Sequence, residues 1–390
     1  MFADTNNRIP IKIWLNNKDD FYNSEELVKQ AYNLANLPFA FKHISLMPDC
    51  HAGYGMPIGG VLATENVIIP NAVGVDIGCG MIAIRTSLTS INNDTLKLIV
   101  NDIKKNIPVG FNKRDNLNYF TSMPKGYETC KIVETEFENA IKSLGTLGGG
   151  NHFIEIQKGS DNHIWIMIHT GSRNLGYKVA KHYNNIAVEL NEKWHSKVPK
   201  EWQLAFLPTD TKDAQEYIKE MNYCVNYAYN NRGIIINTIL NIFIKNIPDV
   251  EFDNKINIAH NYASIENHFG HNVWVHRKGA TLAREGTVGI IPGSQGTKSY
   301  IVKGKGNKDS FTSCSHGAGR LLGRKEAQRK LDLNTVINNL DKQHIIHSIK
   351  EQKDLDEAPE AYKDISEVIQ NEVSLIETLV ELKPLAVIKG

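Results

Sequence analysis

Residues 163–176 read HIWIMIHTGSRNLG, and this stretch decides the class of fold. Ile164–Ile168 is a short apolar run rich in β-branched and aromatic residues, the pattern of a buried strand. The Gly-Ser turn that follows breaks it, and from about Leu175 to Leu190 the spacing becomes helical. Strand, tight turn and helix within one short segment predict a mixed α and β fold. His169 closes the strand, at a position where side chains from neighbouring strands converge.

Outward from this segment the pattern repeats in looser form. Residues 24–36 open with a capping-box-like Ser24 and continue with helical spacing. Residues 43–85 alternate apolar runs with glycine-rich turns, as strands joined by tight loops do. A helical excursion runs from about Lys212 to Ile247, with Asn222, Asn226, Asn230 and Asn231 crowding one side. Residues 256–302 return to strands (INIAH, NVWVHRKG, VGIIPGS, SYIVKG). A helix is expected to start after Ser315, with helical structure until the closing PLAVIKG. No repeat or low-complexity linker divides the chain, and the informative motifs run from residue 76 to the end. We therefore expect one α+β domain over residues 1–390, a single large mixed fold.

With 390 residues, 41% of them hydrophobic and 22% charged, the chain has enough apolar material for a sizeable core. MFADTNNRIPIKIW lacks the basic and apolar regions of a signal peptide, and no apolar run reaches membrane-spanning length. The five cysteines are scattered and contain no CxxC. They do not describe a disulfide framework, which fits a reducing, cytoplasmic setting. Lys+Arg 44 against Asp+Glu 43 gives a net charge of +1, without the basic excess typical of proteins that hold nucleic acid non-specifically. A local basic groove is compatible with that balance.

Four histidines lie in glycine-rich or apolar contexts: GGGNHFIEI (His152), IMIHTGSR (His169), INIAHNYA (His260) and SCSHGAGR (His316). VGVDIGCGM adds Asp76 and Cys79, three residues apart. Imidazole, thiolate and carboxylate are the side chains that bind first-row divalent metals, and two ions sharing a bridging thiolate would occupy five of these six. Taken singly, each histidine reads more readily as a satisfied core residue than as a ligand, and VDIGCG can be a structural turn. A shared metal site satisfies all of these buried polar groups at once.

LGTLGGGNHF, HTGSRNLGYK, IPGSQGTKSY and SCSHGAGR are Gly/Ser-rich turns whose amides can approach an anion, and none is a Walker A motif. In SCSHGAGR, His316 reads as sitting at a helix mouth with Arg320 behind it. That arrangement suits a nucleophile attacking a phosphoryl group; the bland alternative is a capping histidine. Arg173, Arg277, Lys278, Lys298, Lys303, Lys305 and Arg320 lie in or beside these loops, and Arg324, Lys325, Arg329 and Lys330 follow at helical spacing. They define either a phosphate-tracking groove or a solvated face.

In this order, PFAFKHISLMPDCHAGYG, IIPNAVGVDIGCGM, LGTLGGGNHFIEI, IHTGSRNLG, HNYA, VHRKGA, GIIPGSQGTKSYIV, SCSHGAGR and VIKG make the chain resemble the RtcB family of RNA-splicing ligases along nearly its whole length. The resemblance implies a GTP- and manganese-dependent enzyme that joins RNA 3′-phosphate or 2′,3′-cyclic phosphate ends to 5′-hydroxyl ends. In it, His316 takes GMP from GTP, and GMP then activates the RNA 3′-phosphate. It implies one Mn²⁺ on Asp76, Cys79 and His152 and a second on Cys79, His169 and His260. The GTP contacts it implies are Asn151, His152, Phe153, Ile154, Glu155, His260, Asn261, Pro292, Gly293, Ser294, Gln295, Ser299, His316, Gly317, Ala318, Gly319 and Lys389. Glu155 would meet the N–H edge of guanine, Tyr362 would stack on the base, and Arg173 and Arg320 would meet RNA phosphate. It also implies a monomer, with an archease-like activator as a candidate partner. The sequence departs from the family's commoner residues at Cys50, Tyr54, Gly149, Thr170 and Asn174. None of these removes a proposed ligand or the nucleophile. The alternative reading is a metal-dependent phosphoesterase or RNA-binding paralogue, and His316 separates the two because metal-activated water needs no histidine nucleophile.

Overall fold

The computed structural model describes residues 1–390. The decisive segment forms the strand Ile164–Thr170, every residue of it buried, followed by the helix Asn174–Lys193. This strand lies inside a seven-stranded sheet. The order across that sheet is Ile256–Ala259, Gly80–Arg85, Ile164–Thr170, Phe153–Gly159, Ile376–Lys389, Ser299–Gly304 and Val288–Ile291, all neighbours antiparallel. A six-stranded sheet runs in the order Phe2–Asp4, Ile11–Ile13, Ala40–Tyr54, Met56–Thr64, His271–Lys278 and Asn261–His268. Together these two sheets and the helices bear out the α+β expectation.

The helix Lys212–Asn246 interrupts the two β-rich parts in sequence, but in space it is central rather than peripheral. One part of it (Tyr217, Met221, Cys224, Tyr227) packs with Ile77, Leu175 and Tyr183. The following part (Ile235, Ile236, Ile239, Phe243) packs under the seven-stranded sheet with Ile82, Ile166 and Ile388. Asn222, Asn226 and Asn230 lie exposed along one side of it, whereas Asn231 is completely buried.

Three expectations need correction. No helix begins after Ser315: residues 316–323 are loop, and the next helix is Arg324–Lys330. Gly319 adopts φ +76°, and Arg320 forms an isolated bridge with Tyr362, so the backbone there cannot enter a helix. The C-terminal region is not mostly helical either, since Ile376–Lys389 is a long strand with a register shift between Pro384 and Ala386. Proline lacks the ladder donor, and the bulge accommodates it. Finally, Ser24 stands at the helix start without a side-chain capping bond.

Candidate functional site

Sheet register explains why distant residues meet. Phe153 pairs with His169, Met81 with His169, and Ala259 with Gly80. His152, Cys79 and His260 each lie one residue beyond a paired position, so all of them, with His169, reach the same end of the sheet. Two glycines make this possible. Gly80 passes so close to its neighbour strand that a Cβ would lie 2.0 Å from the Ile258 carbonyl oxygen. Gly78 turns the chain at φ +78° with a Cβ position 2.9 Å from Val225 Cα on the long helix.

The turn carrying Asp76 and Cys79 is braced from several sides. Gly78 N–H donates to the Asn261 carbonyl at 2.8 Å, and the Asn261 amide donates to the Asp76 carbonyl at 3.1 Å. Arg232 of the long helix, fully buried, donates to the Gly78 and Thr170 carbonyls at 3.0 Å each. Its neighbour Asn231 accepts from Gly145 N–H at 2.7 Å and donates to the Thr146 and Gly171 carbonyls.

Two donor groups result. Cys79, His169 and His260 form one; Asp76, Cys79 and His152 form the other. Within each group the ligand atoms lie within 4.8 Å of one another. Cys79 Sγ is 3.3 Å from His169 Nε2 and 3.6 Å from His152 Nε2; His152 Nε2 is 3.3 Å from Asp76 Oδ2, and His169 Nε2 is 3.3 Å from His260 Nε2. His152 Nδ1 faces the Leu147 carbonyl and His169 Nδ1 the Asn151 carbonyl, each at 3.0 Å. For His169 that carbonyl puts the proton on Nδ1 and turns an unprotonated Nε2 inward, the arrangement of metal-ligating histidine. Burial holds the His169 and His260 imidazoles well below their usual range, in the neutral form a ligand needs. Burial, with Asp76 beside it, pushes the Cys79 thiol well above its usual range, while the Arg232 charge opposes that shift. Lone pairs and a carboxylate converge here without enough protons between them, so the residues fit a pair of divalent cations sharing Cys79.

His316 continues the cluster, its ring centroid 4.8 Å from that of His260. Both its backbone N–H and its Nδ1 are held by one oxygen of Asp49, at 3.0 and 2.6 Å. The Nδ1–Asp49 bond leaves Nε2 as the free nitrogen. Asp49 is fully buried. Burial alone would raise its carboxyl, but the His316 charge and hydrogen bonds outweigh that and hold it below the usual carboxylate range. Sequence reading did not single out Asp49; in MPDCH it looks like a turn residue, and its partner lies 267 residues away.

Beside His316 opens a cavity lined by Asn151, Phe153, Glu155, His169, Pro292–Gln295, His316–Arg320, Tyr362 and Lys389 of the predicted set. His51, Ile58, Arg324 and Glu357 also line it. Glu357 was likewise missed. Its buried carboxylate meets Arg320 at 3.1 Å, Arg324 at 3.0 Å, Lys389 at 3.8 Å and the Tyr362 hydroxyl. Three cations around one carboxylate leave this wall positive, and the Arg320 guanidinium lies over the Tyr362 ring at 5.0 Å. At the inner end Glu155 accepts from the Gln157 amide at 2.6 Å. Burial pushes the Glu155 carboxyl up to about 8, with Lys389 pulling the other way.

Other predicted residues fall elsewhere. Strand alternation points Ile154 away from the cavity into the apolar core. Ser299 accepts from Gly293 N–H at 3.1 Å and so braces the Pro292–Gln295 loop. Arg173 reaches His152 Nδ1 at 3.3 Å and Thr146 Oγ1 at 3.2 Å, and its backbone takes φ +58°, an unusual value for a side-chain-bearing residue. Three of the basic residues expected to line one groove are engaged elsewhere. Arg277 is buried against Glu266 at 2.5 Å, Lys278 is buried on the Tyr54 and Asn71 carbonyls, and Lys298 pairs with Glu381 at 2.6 Å.

The family model described as tRNA-splicing ligase RtcB matches residues 30–125 and 121–390, and the chain belongs to that family. It is 36% identical to the RNA-splicing ligase RtcB of Escherichia coli (strain K12), over 99% of this chain and 98% of the relative. It is 34% identical to the tRNA-splicing ligase RtcB of Nanoarchaeum equitans and 33% identical to that of Methanococcus maripaludis, each over 98% of this chain and 95% of the relative. No helix is long and apolar enough to cross a membrane.

Proposed function

We propose that this protein is a GTP- and Mn²⁺-dependent RNA ligase that joins 3′-phosphate or 2′,3′-cyclic phosphate ends to 5′-hydroxyl ends. The observation that carries the reading is the alignment of His316 between Asp49 and the metal-ligand cluster. An imidazole whose Nδ1 is fixed by a buried carboxylate presents Nε2 as a positioned nucleophile, the logic of an oriented catalytic histidine.

Bound at the two donor groups, divalent cations would neutralise triphosphate charge and align the attacking and leaving groups. His316 Nε2 attacks the α-phosphorus of GTP, forming a P–N bond as pyrophosphate leaves. The Nδ1 proton stays on its Asp49 hydrogen bond, which stabilises the cationic character the ring gains. Glu155 accepts from the N–H edge of guanine, Tyr362 stacks on the base, and Arg320, Arg324 and Lys389 supply positive charge. A cyclic end is first opened by water, which adds to phosphorus as the P–O2′ bond breaks and leaves a 3′-phosphate and a 2′-hydroxyl. GMP then passes from His316 to that phosphate, and the 5′-hydroxyl attacks the activated phosphorus and expels GMP. Activation is needed because a phosphate monoester is otherwise a poor electrophile. A cytoplasmic monomer, with an archease-like activator as a possible requirement for turnover, completes the reading.

The test is self-labelling. Wild type and His316→Ala, both loaded with Mn²⁺, are incubated with α-labelled GTP and denatured. Acid-labile label on wild type alone is expected. No label on metal-loaded wild type sinks the mechanism and favours a phosphoesterase.

A further inference from the structure

Phe111 stands fully in solvent, at 103% of its reference exposure. Its backbone is nevertheless anchored. Gly110 N–H donates to the Gly148 carbonyl at 2.9 Å, Leu147 N–H donates to the Pro108 carbonyl at 2.9 Å, and Arg173 reaches the Gly110 carbonyl at 3.4 Å. The loop that carries Phe111 is thus tied to the segment that delivers His152 to the metal-ligand cluster.

One exposed aromatic needs no explanation by itself. Its surroundings supply one. Two residues on, the exposed Lys113 has no carboxylate partner and bonds the Asn139 amide oxygen at 3.3 Å. Lys113 and Arg173 line the same narrow cleft, with Ser172 and Asn174 in it. Its one carboxylate, Glu136, is already paired with Lys178 at 3.5 Å. Two cations flanked by the Asn139 and Asn174 amides suit a sugar–phosphate backbone, and an aromatic face beside them suits a base.

We propose that Phe111 is a stacking platform for a nucleobase of the RNA substrate, with Lys113 and Arg173 holding phosphates of the same strand. The inference rests on the RNA-joining reading above and deepens it. The contacts run Arg173 to His152, then Cys79, His169, His260 and His316. RNA therefore approaches from the His152 end of the cluster, the far end from His316. Stacking uses a ring face that every base has, so the platform grips without regard to sequence.

The test is the affinity of a short single-stranded RNA with a 3′-phosphate, read by fluorescence anisotropy on wild type, Phe111→Ala, Phe111→Leu and Phe111→Trp. Phe111→Ala is expected to bind roughly 5- to 150-fold more weakly. Phe111→Trp should bind like wild type, and Phe111→Leu should resemble Phe111→Ala because it keeps bulk but no π face. All four bases should show the loss. Equal affinity of Phe111→Ala and wild type, or leucine serving as well as tryptophan, overturns the platform. GTP labelling of wild type in parallel separates the readings. Wild type that labels and binds RNA without needing Phe111 overturns the platform alone. Wild type that needs Phe111 for RNA yet never labels overturns the ligase reading alone, and wild type that binds no RNA overturns both.

Discussion

Asp49 and His316 form the contact on which the proposed chemistry turns, and the chain separates them by 267 residues. Asp49→Ala removes the acceptor for both His316 donors, so Nδ1 is no longer fixed and Nε2 loses its aim. The rate of labelling from GTP should fall by roughly 10²- to 10⁴-fold while RNA affinity is retained, measured by single-turnover labelling and anisotropy. Glu155 sets a pH dependence. Burial pushes its carboxyl up to about 8, above the ordinary glutamate value, and the proposed contact to the N–H edge of guanine needs the ionised form. GTP affinity should therefore rise with pH up to about 8 and fall roughly tenfold per unit below it, and Glu155→Gln should abolish that slope. For stability the sign is opposite. Between the ordinary glutamate value and about 8 the folded chain holds a proton that the unfolded chain has released, so raising pH across that window costs stability. The clustered donors His152, His169, His260, Asp76 and Cys79 were legible in the sequence because side chains of metal-binding type are chemically unusual in apolar, glycine-rich surroundings. Asp49 and Glu357 were not, because each is defined by partners that only the tertiary fold supplies.

The helix Lys212–Asn246 was readable from periodicity almost to the residue, but what it supports was not. Asn231 and Arg232 project from adjacent positions into the loops that carry Cys79, His152 and His169. Asn231→Ala strands the Gly145 amide and the Thr146 and Gly171 carbonyls. We expect about 1–3 kcal/mol of lost stability for a buried group left unpaired, read by denaturant melts, together with weaker metal retention in dialysis. The loop at His316 shows the opposite failure. LLGRKEAQRKL has helical composition, but the helix starts only at Arg324, because Gly319 at φ +76° and the Arg320–Tyr362 bridge hold residues 316–323 open. Composition registers propensity; the bridge to Tyr362 is a long-range fact. The strand Ile376–Lys389 was hidden in a similar way, by charged residues on exposed positions and by a proline that its bulge absorbs.

At the scale of the whole molecule, the thiolate and imidazole donors define an affinity order that does not favour the proposed ion. By intrinsic preference such a site takes zinc or copper over manganese. Protein purified without added metal should carry zinc by elemental analysis, and should label from GTP only after stripping and reloading with Mn²⁺. Stripping should also lower the melting temperature, because ions bound only by the native state stabilise it. The near-neutral composition gave no hint of the positive wall formed by Arg320, Arg324 and Lys389, since the fold gathers those charges from two segments far apart in sequence. A different consequence follows from the place of Ile376–Lys389 between Phe153–Gly159 and Ser299–Gly304. During synthesis both flanking strands leave the ribosome well before the strand that joins them. Until residues 376–389 emerge, each presents a bare edge of unpaired amides and carbonyls, and the cavity lacks Lys389. A message cut short upstream of residue 376 would thus yield a sticky product that invites aggregation, rather than a weakened enzyme.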